Sequence, residues 1–366
     1  MRVMIVSAPL LGHLLPMVPT AQALRAAGHE VLLAAGGDAL AVRQSGFAVD
    51  DVAPGIRIGR LAGGVLLRHP LLGRAELAGR AGTRMVARLF AEVNRRMAPA
   101  VRDRMDRFRP DLVLYEPLAV AGALAAGRGG EPAVLHENSL FDGPELVRAT
   151  AARLGVDPPG GLPGAGVVTI APPRVVGVRA GWPMSGVPHP GLGTLPDWLR
   201  EPPAAARILV SRSTVAGPGG SDVMRAVVRV AARADAEIVL VRPERAVLRR
   251  PLPARVRAVD WIPINQALPG CAGVVHHGGA GSVLGALAAG VPQLVVPGSG
   301  DRRHNAELVA ASGAGLAVAA RDITADVLAR LVTDPRLATT AREVRREMLA
   351  MPAPAELVPR LAALAG

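Results

Sequence analysis

Residues 274–308 read VVHHGGAGSVLGALAAGVPQLVVPGSGDRRHNAEL, and the fold is decided here. Val274 and Val275 close a short apolar run of the kind that forms a buried parallel strand. From Ser282 to Ala289 the spacing is helical, with Val283, Leu284 and Leu287 on one face, and Gly290 stops it. Between strand and helix lies His276-His277-Gly278-Gly279-Ala280-Gly281-Ser282. Glycines let backbone come close to a ligand, and a helix start offers unpaired N–H groups and the positive end of the helix dipole, which suits a phosphate. No Gly-Lys-Ser/Thr follows, so this is not a Walker loop, and the glycines do not fall as GxGxxG.

A second strand, Gln293 to Val296, ends at Pro297, and Gly298-Ser299-Gly300 leads into Asp301-Arg302-Arg303-His304-Asn305. In open parallel sheets ligands bind outside the carboxyl ends of the strands. His277, Ser282, Asp301 and Arg302 therefore share one rim, fit for a phosphate on the first loop and a polyhydroxylated group near the second.

The amino-terminal end repeats the pattern. Arg2 to Ala8 is apolar and β-branched, Gly12-His13-Leu14-Leu15-Pro16 leads into a helix closed by Gly28-His29, and Val31 to Ala35 is a second strand. This is a βαβ unit with His13 at its first switch from strand to helix. On its own such a histidine reads as a surface residue or helix cap. Arg109 to Pro117 reads as a strand presenting Glu116 at its end, and after a strand from Ala133 to His136 the run Glu137 to Phe141 lies on the same rim. There His136 and Glu137 either touch a ligand or, more plainly, build a structural loop. Residues 52 to 104 are helical in pattern but irregular, and Leu61 to Leu77 reads either as a mobile lid or as the wall of a wide pocket. The stretch from Leu154 to Pro203 is dense in proline and glycine, as turns and linkers are.

Half of the 366 residues are apolar, enough for two cores. All 42 basic residues are arginine and the formal charge is +12. The arginines are scattered, never more than two in a row, and aromatic residues make up 2%, so no stacking platform or basic tract for nucleic acid emerges. A lysine-free, Ala/Gly/Arg/Pro-rich chain points to a GC-rich genome of the actinomycete kind. Cys271 is the only cysteine, which excludes an internal disulfide and reads as a small buried residue. The first ten residues lack a signal-peptide pattern and no apolar run spans a bilayer, so a cytoplasmic location and no membrane span are expected.

HHGGAGS at 276–282 followed by PGSGDRRHNAE at 297–307 resembles the donor-binding signature of the GT-B glycosyltransferases that decorate natural products, relatives of the plant and animal UDP-sugar transferases. The likeness runs in order from the first strand to the last helix. It implies an α/β fold of two Rossmann-like, doubly wound parallel-sheet domains facing across a cleft. An acceptor-binding domain would occupy 1–201 and a nucleotide-sugar domain 202–366, with the last helix crossing back to the first domain. The resemblance makes His13, in Gly-His-x-x-Pro, the general base, and gives it an orienting carboxylate at Glu116, where the family commonly has the shorter aspartate. It places Ser213 and Thr214 on the donor phosphates, with Arg212 as a further clamp. It stacks Trp261 on the nucleobase, with the backbone of Ile262 on the pyrimidine edge. His277 and the N–H groups around Gly279, Ala280, Gly281 and Ser282 would take the diphosphate, and Asp301 and Arg302 the sugar. The family usually has Gln where this chain has Gly298 and Arg302, which admits a deoxygenated or charged sugar. Asn305 and Glu307 match the family, either as ligand contacts or as helix-start residues.

The expected activity is inverting transfer of a deoxysugar from a nucleotide diphosphate, dTDP foremost, onto a secondary-metabolite aglycone such as a polyketide, with no metal and no other cofactor. The expected partners are the nucleotide sugar and the aglycone, with no nucleic acid and with a homodimer admitted. The alternatives are a nucleotide-sugar epimerase on the same fold, against which the Gly-His-x-x-Pro segment argues, and a non-catalytic auxiliary, against which the intact HHGGAGS argues.

Overall fold

A computed structural model describes residues 1–77, 81–156, 164–186, 188–189, 193–212 and 222–366. The chain packs into two compact units. The first comprises Met1–Ile170, Arg179–Val187 and Met351–Gly366, and the second Ala171–Val178 and Pro188–Ala350.

The strands of the first unit are β1 (Arg2–Val6), β2 (Glu30–Ala35), β3 (Ala48–Asp51), β4 (Leu112–Tyr115), β5 (Ala133–His136), β6 (Gly166–Thr169) and β7 (Trp182–Pro183). They form one sheet in the order β3-β2-β1-β4-β5-β6-β7, every pairing parallel. Because helices cover both faces of such a sheet, its strands are apolar on both sides, and Val3 to Val6 and Leu112 to Leu114 are fully buried. The second unit has β8 (Arg207–Ser211), β9 (Glu237–Val241), β10 (Val256–Val259), β11 (Gly273–His276), β12 (Gln293–Val295) and β13 (Gly315–Ala317). Their order is β10-β9-β8-β11-β12-β13, again all parallel. In each unit the order runs outward one way from the first strand and then the other way from the fourth, so each has a switch point, between β1 and β4 and between β8 and β11. A crevice at that point is where a doubly wound sheet binds ligands.

Several sequence boundaries move. The helix after β11 starts at Ala280 rather than Ser282, and β12 stops at Val295. Residues 52–104 are more regular than their pattern: helices Ile58–Arg68 and Pro70–Leu77 precede a 25-residue helix, Arg84–Phe108, that continues through Pro99. The division at residue 202 also moves. Leu195 and Leu199 lie in the second unit's core with Leu209 and Leu268, and the buried Arg207 guanidinium bonds the carbonyls of Trp198, Leu199 and Glu201, so the segment before 202 is fastened to the second unit. The last helix, Pro354–Ala362, belongs to the first unit, where Arg360 lies over the Trp182 ring at 4.3 Å. No helix among the described residues is long and apolar enough to cross a membrane.

Candidate active site

In the first unit the chemistry gathers at the switch point. β4 delivers Glu116 one residue past its end, and the turn after β1 delivers His13 on the short helix Leu11–Leu14. The Glu116 carboxylate is wholly buried. Its Oε1 accepts the Ala8 N–H at 2.9 Å, and its Oε2 accepts the Leu118 N–H at 2.9 Å. These bonds fold the long side chain back across the tips of β1 and β4, and Oε2 lies 3.2 Å from His13 Nδ1. A carboxylate accepts and does not donate, so the pair requires the proton on Nδ1 and leaves Nε2 as the basic nitrogen. The His13 side chain is 28% exposed.

Asn138, which the sequence placed on this rim without a role, and Phe90, which it did not single out, complete this arrangement. Asn138, two past the end of β5, donates from Nδ2 to Glu116 Oε2 at 3.1 Å and to the His13 carbonyl at 3.3 Å. Its Nδ2 also lies 3.1 Å from His13 Nδ1, so the amide braces both members of the pair. Phe90, on the long helix, stacks on His13 with ring centroids 6.2 Å apart and an interplanar angle of 27°. That helix is itself pinned by buried Asn94, whose amide bonds the carbonyls of Phe90 and Leu118 and accepts the Ala121 N–H, each at 2.7 Å. The available signal was strand order alone: β5 neighbours β4, so residues just past His136 must lie beside Glu116.

His136 and Glu137 take the structural role. His136 Nδ1 meets the Glu137 carbonyl at 2.7 Å and Nε2 meets the Thr20 hydroxyl at 2.8 Å. Burial pushes this imidazole down to about 4, keeping it neutral. Glu137 is buried against Arg179 and the Gly143 N–H; burial raises its pKa, and the backbone bond and Arg179 oppose the rise.

In the second unit β11 ends in buried His276, which accepts the Gly278 N–H at Nδ1 (3.0 Å) and meets Gln293 Oε1 through Nε2 (2.9 Å). Burial holds it at about 4. These bonds set the path of the loop. Gly278 adopts φ +84°, and a Cβ there would sit 2.9 Å from Val295 and 3.0 Å from the Arg302 carbonyl; glycine is needed both for the left-handed backbone and for the close approach. The helix Ala280–Ala289 then begins at Gly279 with no side-chain cap and no acidic residue in its first turn. Such a start has orphan N–H groups and an unopposed dipole. Gly281 is exposed there and Ser282 half-buried.

His277 stands over this helix start, its Nε2 lying 2.5 Å from where a Cβ on Gly279 would be. Its Nδ1 is buried without a hydrogen-bond partner. Burial first, and then the nearness of His276 and Arg302, bring its pKa down to about 3, so it is a neutral imidazole. Asn305, fully buried, donates to the Gly278 carbonyl at 2.8 Å and to Asp301 Oδ2 at 2.9 Å. It thereby ties the two rim loops together and fixes the Asp301 carboxylate. Arg302 packs its stem on Gly298, where a Cβ would lie 3.1 Å from Arg302 Cδ; burial lowers its pKa and Asp301 opposes the shift.

Of the rest of the expected donor set, Trp261, Ile262 and Arg212 lie within the described residues. Trp261 follows β10 and is 47% exposed, with the Arg242 guanidinium 5.0 Å from its ring centroid, so it is not a core residue. Ile262 beside it is buried in the second core. Neither adjoins His277, because β9 and β8 lie between β10 and β11. Arg212 turns its Nε onto the Arg242 carbonyl at 2.7 Å. Ser213 and Thr214 lie outside the described residues.

Comparison with known proteins agrees with this fold. Models of erythromycin biosynthesis protein CIII-like proteins match residues 22–159 as the N-terminal domain and residues 225–364 as the C-terminal domain. The elloramycin glycosyltransferase ElmGT of Streptomyces olivaceus is 38% identical over 375 residues, covering 99% of this chain and 97% of its own. The crystal structure of the glycosyltransferase SnogD from Streptomyces nogalater superposes with a TM-score of 0.86 at 35% identity over 100% of both chains. The spinosyn rhamnosyltransferase SpnG superposes with TM-score 0.80 in its complex with spinosyn aglycone (29% identity) and 0.78 in its complex with thymidine diphosphate (27% identity), each over 99% of this chain and 100% of that one. Two doubly wound units with these switch-point sites define a GT-B glycosyltransferase. The chain belongs to the erythromycin biosynthesis protein CIII-like family of natural-product glycosyltransferases.

Proposed function

We propose that the protein transfers a deoxysugar from its thymidine diphosphate ester to a hydroxyl of a polyketide aglycone, with inversion at the anomeric carbon and without a metal ion. The observation that carries this reading is the His13–Glu116 pair at 3.2 Å, held by Asn138 at the first unit's switch point. Family relatives support the substrate classes: ElmGT is an elloramycin glycosyltransferase, and SpnG has been crystallised with thymidine diphosphate and with spinosyn aglycone.

His13 Nε2 takes the proton of the acceptor hydroxyl, and Glu116 stabilises the imidazolium that forms. The hydroxyl oxygen attacks the anomeric carbon as the bond from that carbon to the diphosphate oxygen breaks, and the electron pair leaves with the diphosphate. Attack opposite the leaving group inverts the centre. The leaving charge is met by the N–H groups of Ala280 and Gly281 and the Ser282 hydroxyl at an uncapped helix start, the Ser282 N–H being bonded to the Gly279 carbonyl at 3.0 Å, and by the Arg302 cation, with neutral His277 acting as a dipole. Thymine stacks on Trp261. Three inter-strand steps separate β10 from β11, about 14 Å at ~4.8 Å each, which a nucleoside diphosphate laid along the strand ends spans from base to phosphates. Asp301, steadied by Asn305, accepts from sugar hydroxyls.

The test is transfer from a thymidine diphosphate deoxysugar to a polyketide aglycone in chelator, with the product's anomeric configuration read by NMR coupling. Inversion with undiminished rate supports the proposal; retention, or loss of turnover in chelator, contradicts it.

A further inference from the structure

On the first unit a second concavity lies away from the His13 centre. It is a cavity of about 460 Å³ between helices Ile58–Arg68 and Arg84–Phe108, with Arg153 also in its wall. Side chains one hundred degrees apart per residue sort the long helix into two faces. Phe90, Asn94 and Met97 are buried against the sheet and carry the contacts to His13 and Leu118, whereas Arg88, Glu92 and Arg95 turn outward and line the cavity. A wall of the long helix thus stands between the two.

The cavity's lining is dominated by guanidinium groups. Six arginines face it and one carboxylate, Glu92, which is taken up by Arg95 at 3.3 Å and Arg96 at 2.9 Å. Arg60, Arg68, Arg88 and Arg153 are left, and among the described residues their guanidinium groups make no ion pair or hydrogen bond. Arg88 Nε is fully buried and has no partner at all. A buried donor without an acceptor is destabilising, and like charges gathered in a concave, partly shielded space repel one another more than on an open surface. Both penalties disappear when an anion enters. Guanidinium forks match phosphate oxygens two at a time. Four unpaired guanidinium groups call for more than a single negative charge, and the apolar wall of Leu61, Val65 and Ala91 has room for a small organic body. The volume falls within the roughly 300–1,000 Å³ of small-molecule sites.

We infer that this groove is a second ligand site, separate from the reaction centre, that binds a small organic phosphate carrying two or more negative charges. The inference does not rest on the donor-site reading.

Inorganic pyrophosphate is the probe. It is titrated calorimetrically into the full chain already saturated with thymidine diphosphate, so that the helix start at Gly279 is occupied. One further binding event per chain is expected, weakened at least tenfold in Arg88→Gln and in the double variant Arg68→Gln/Arg153→Gln, with the thymidine diphosphate affinity of both variants unchanged. Arg68 and Arg153 are exposed, so the double variant reports on binding even if Arg88→Gln folds poorly. Absence of the second event, or its persistence at full strength in the double variant, overturns the inference. Failure of thymidine diphosphate itself to bind would count against the proposed function and leave the pyrophosphate titration of the ligand-free chain to decide this one.

Discussion

At the scale of single residues the account turns on which nitrogen of His13 carries the proton. The Glu116 carboxylate, which can only accept, lies 3.2 Å from Nδ1 and favours the proton there. His13→Ala removes the base and is expected to lower kcat by about 10²–10⁴-fold, with thymidine diphosphate affinity within twofold of the parent; unchanged turnover would end its assignment. Asn138→Ala is expected to lower kcat roughly tenfold through misorientation of the pair, again without effect on nucleotide binding; a loss confined to nucleotide affinity would contradict the hydrogen-bond pattern. Trp261→Ala should weaken thymidine diphosphate binding by about 1–3 kcal/mol, the worth of one base–aromatic stack, and an unmoved affinity would return Trp261 to the role of bystander. The position of His13, Glu116 and His277 at the strand ends was legible because motif and strand end coincide. Asn138 was placed on the same rim but its bond to Glu116 was not legible, because a lone asparagine in a polar run carries no motif and only the pairing of β5 with β4 brings it to the carboxylate.

Among the elements, the strand-to-helix turn at 276–282 does the most. Its conformation is held by buried His276, which accepts the Gly278 N–H and is itself met by Gln293 from the start of β12, and by buried Asn305, which bonds the Gly278 carbonyl. Gly278→Ala meets both a left-handed backbone, worth roughly 1–2 kcal/mol, and contacts near 3 Å with Val295 and Arg302. Thermal unfolding should show a stability loss of at least about 1 kcal/mol, and nucleotide affinity should fall because the uncapped N–H groups are re-aimed; a neutral effect on both would show that the loop can take another path. The apolar strand runs and this turn were readable, since each has a period and a stop. The helix Arg84–Phe108 was not read as continuous because Pro99 and its arginines interrupt the pattern, while Met85, Phe90, Val93, Met97, Val101 and Met105 keep a buried face through it. The start at Ala280 rather than Ser282 reflects small residues that carry no hydrophobic signal.

For the whole molecule, two units of like strand order arise from one rule, that parallel strands need covered faces and leave their carboxyl ends for chemistry. Proline and glycine marked the stretch between them but not where packing changes hands, because that depends on side chains such as Leu195, Leu199 and Arg207 finding a core. His136 in one unit and His276 in the other are both buried and neutral, each brought to about 4 from an ordinary value near 6.5. Their folded values are depressed, so the unfolded chain binds more protons between those limits. The stability they preserve is full above pH 6.5 and is lost as the pH falls through about 4, on the order of 3 kcal/mol apiece at full titration. Denaturant unfolding at pH 7, 5.5 and 4.5 should show falling stability, lessened in His136→Gln; stability flat across that range would deny the burial.

The central claim is that the second unit holds a nucleoside diphosphate on a helix start without a metal. Calorimetric titration of the purified protein with thymidine diphosphate and uridine diphosphate, in chelator, tests it most directly. The account predicts one site per chain that survives chelation and prefers the thymidine nucleotide. Binding of neither nucleotide, or binding that vanishes with the chelator, would contradict it.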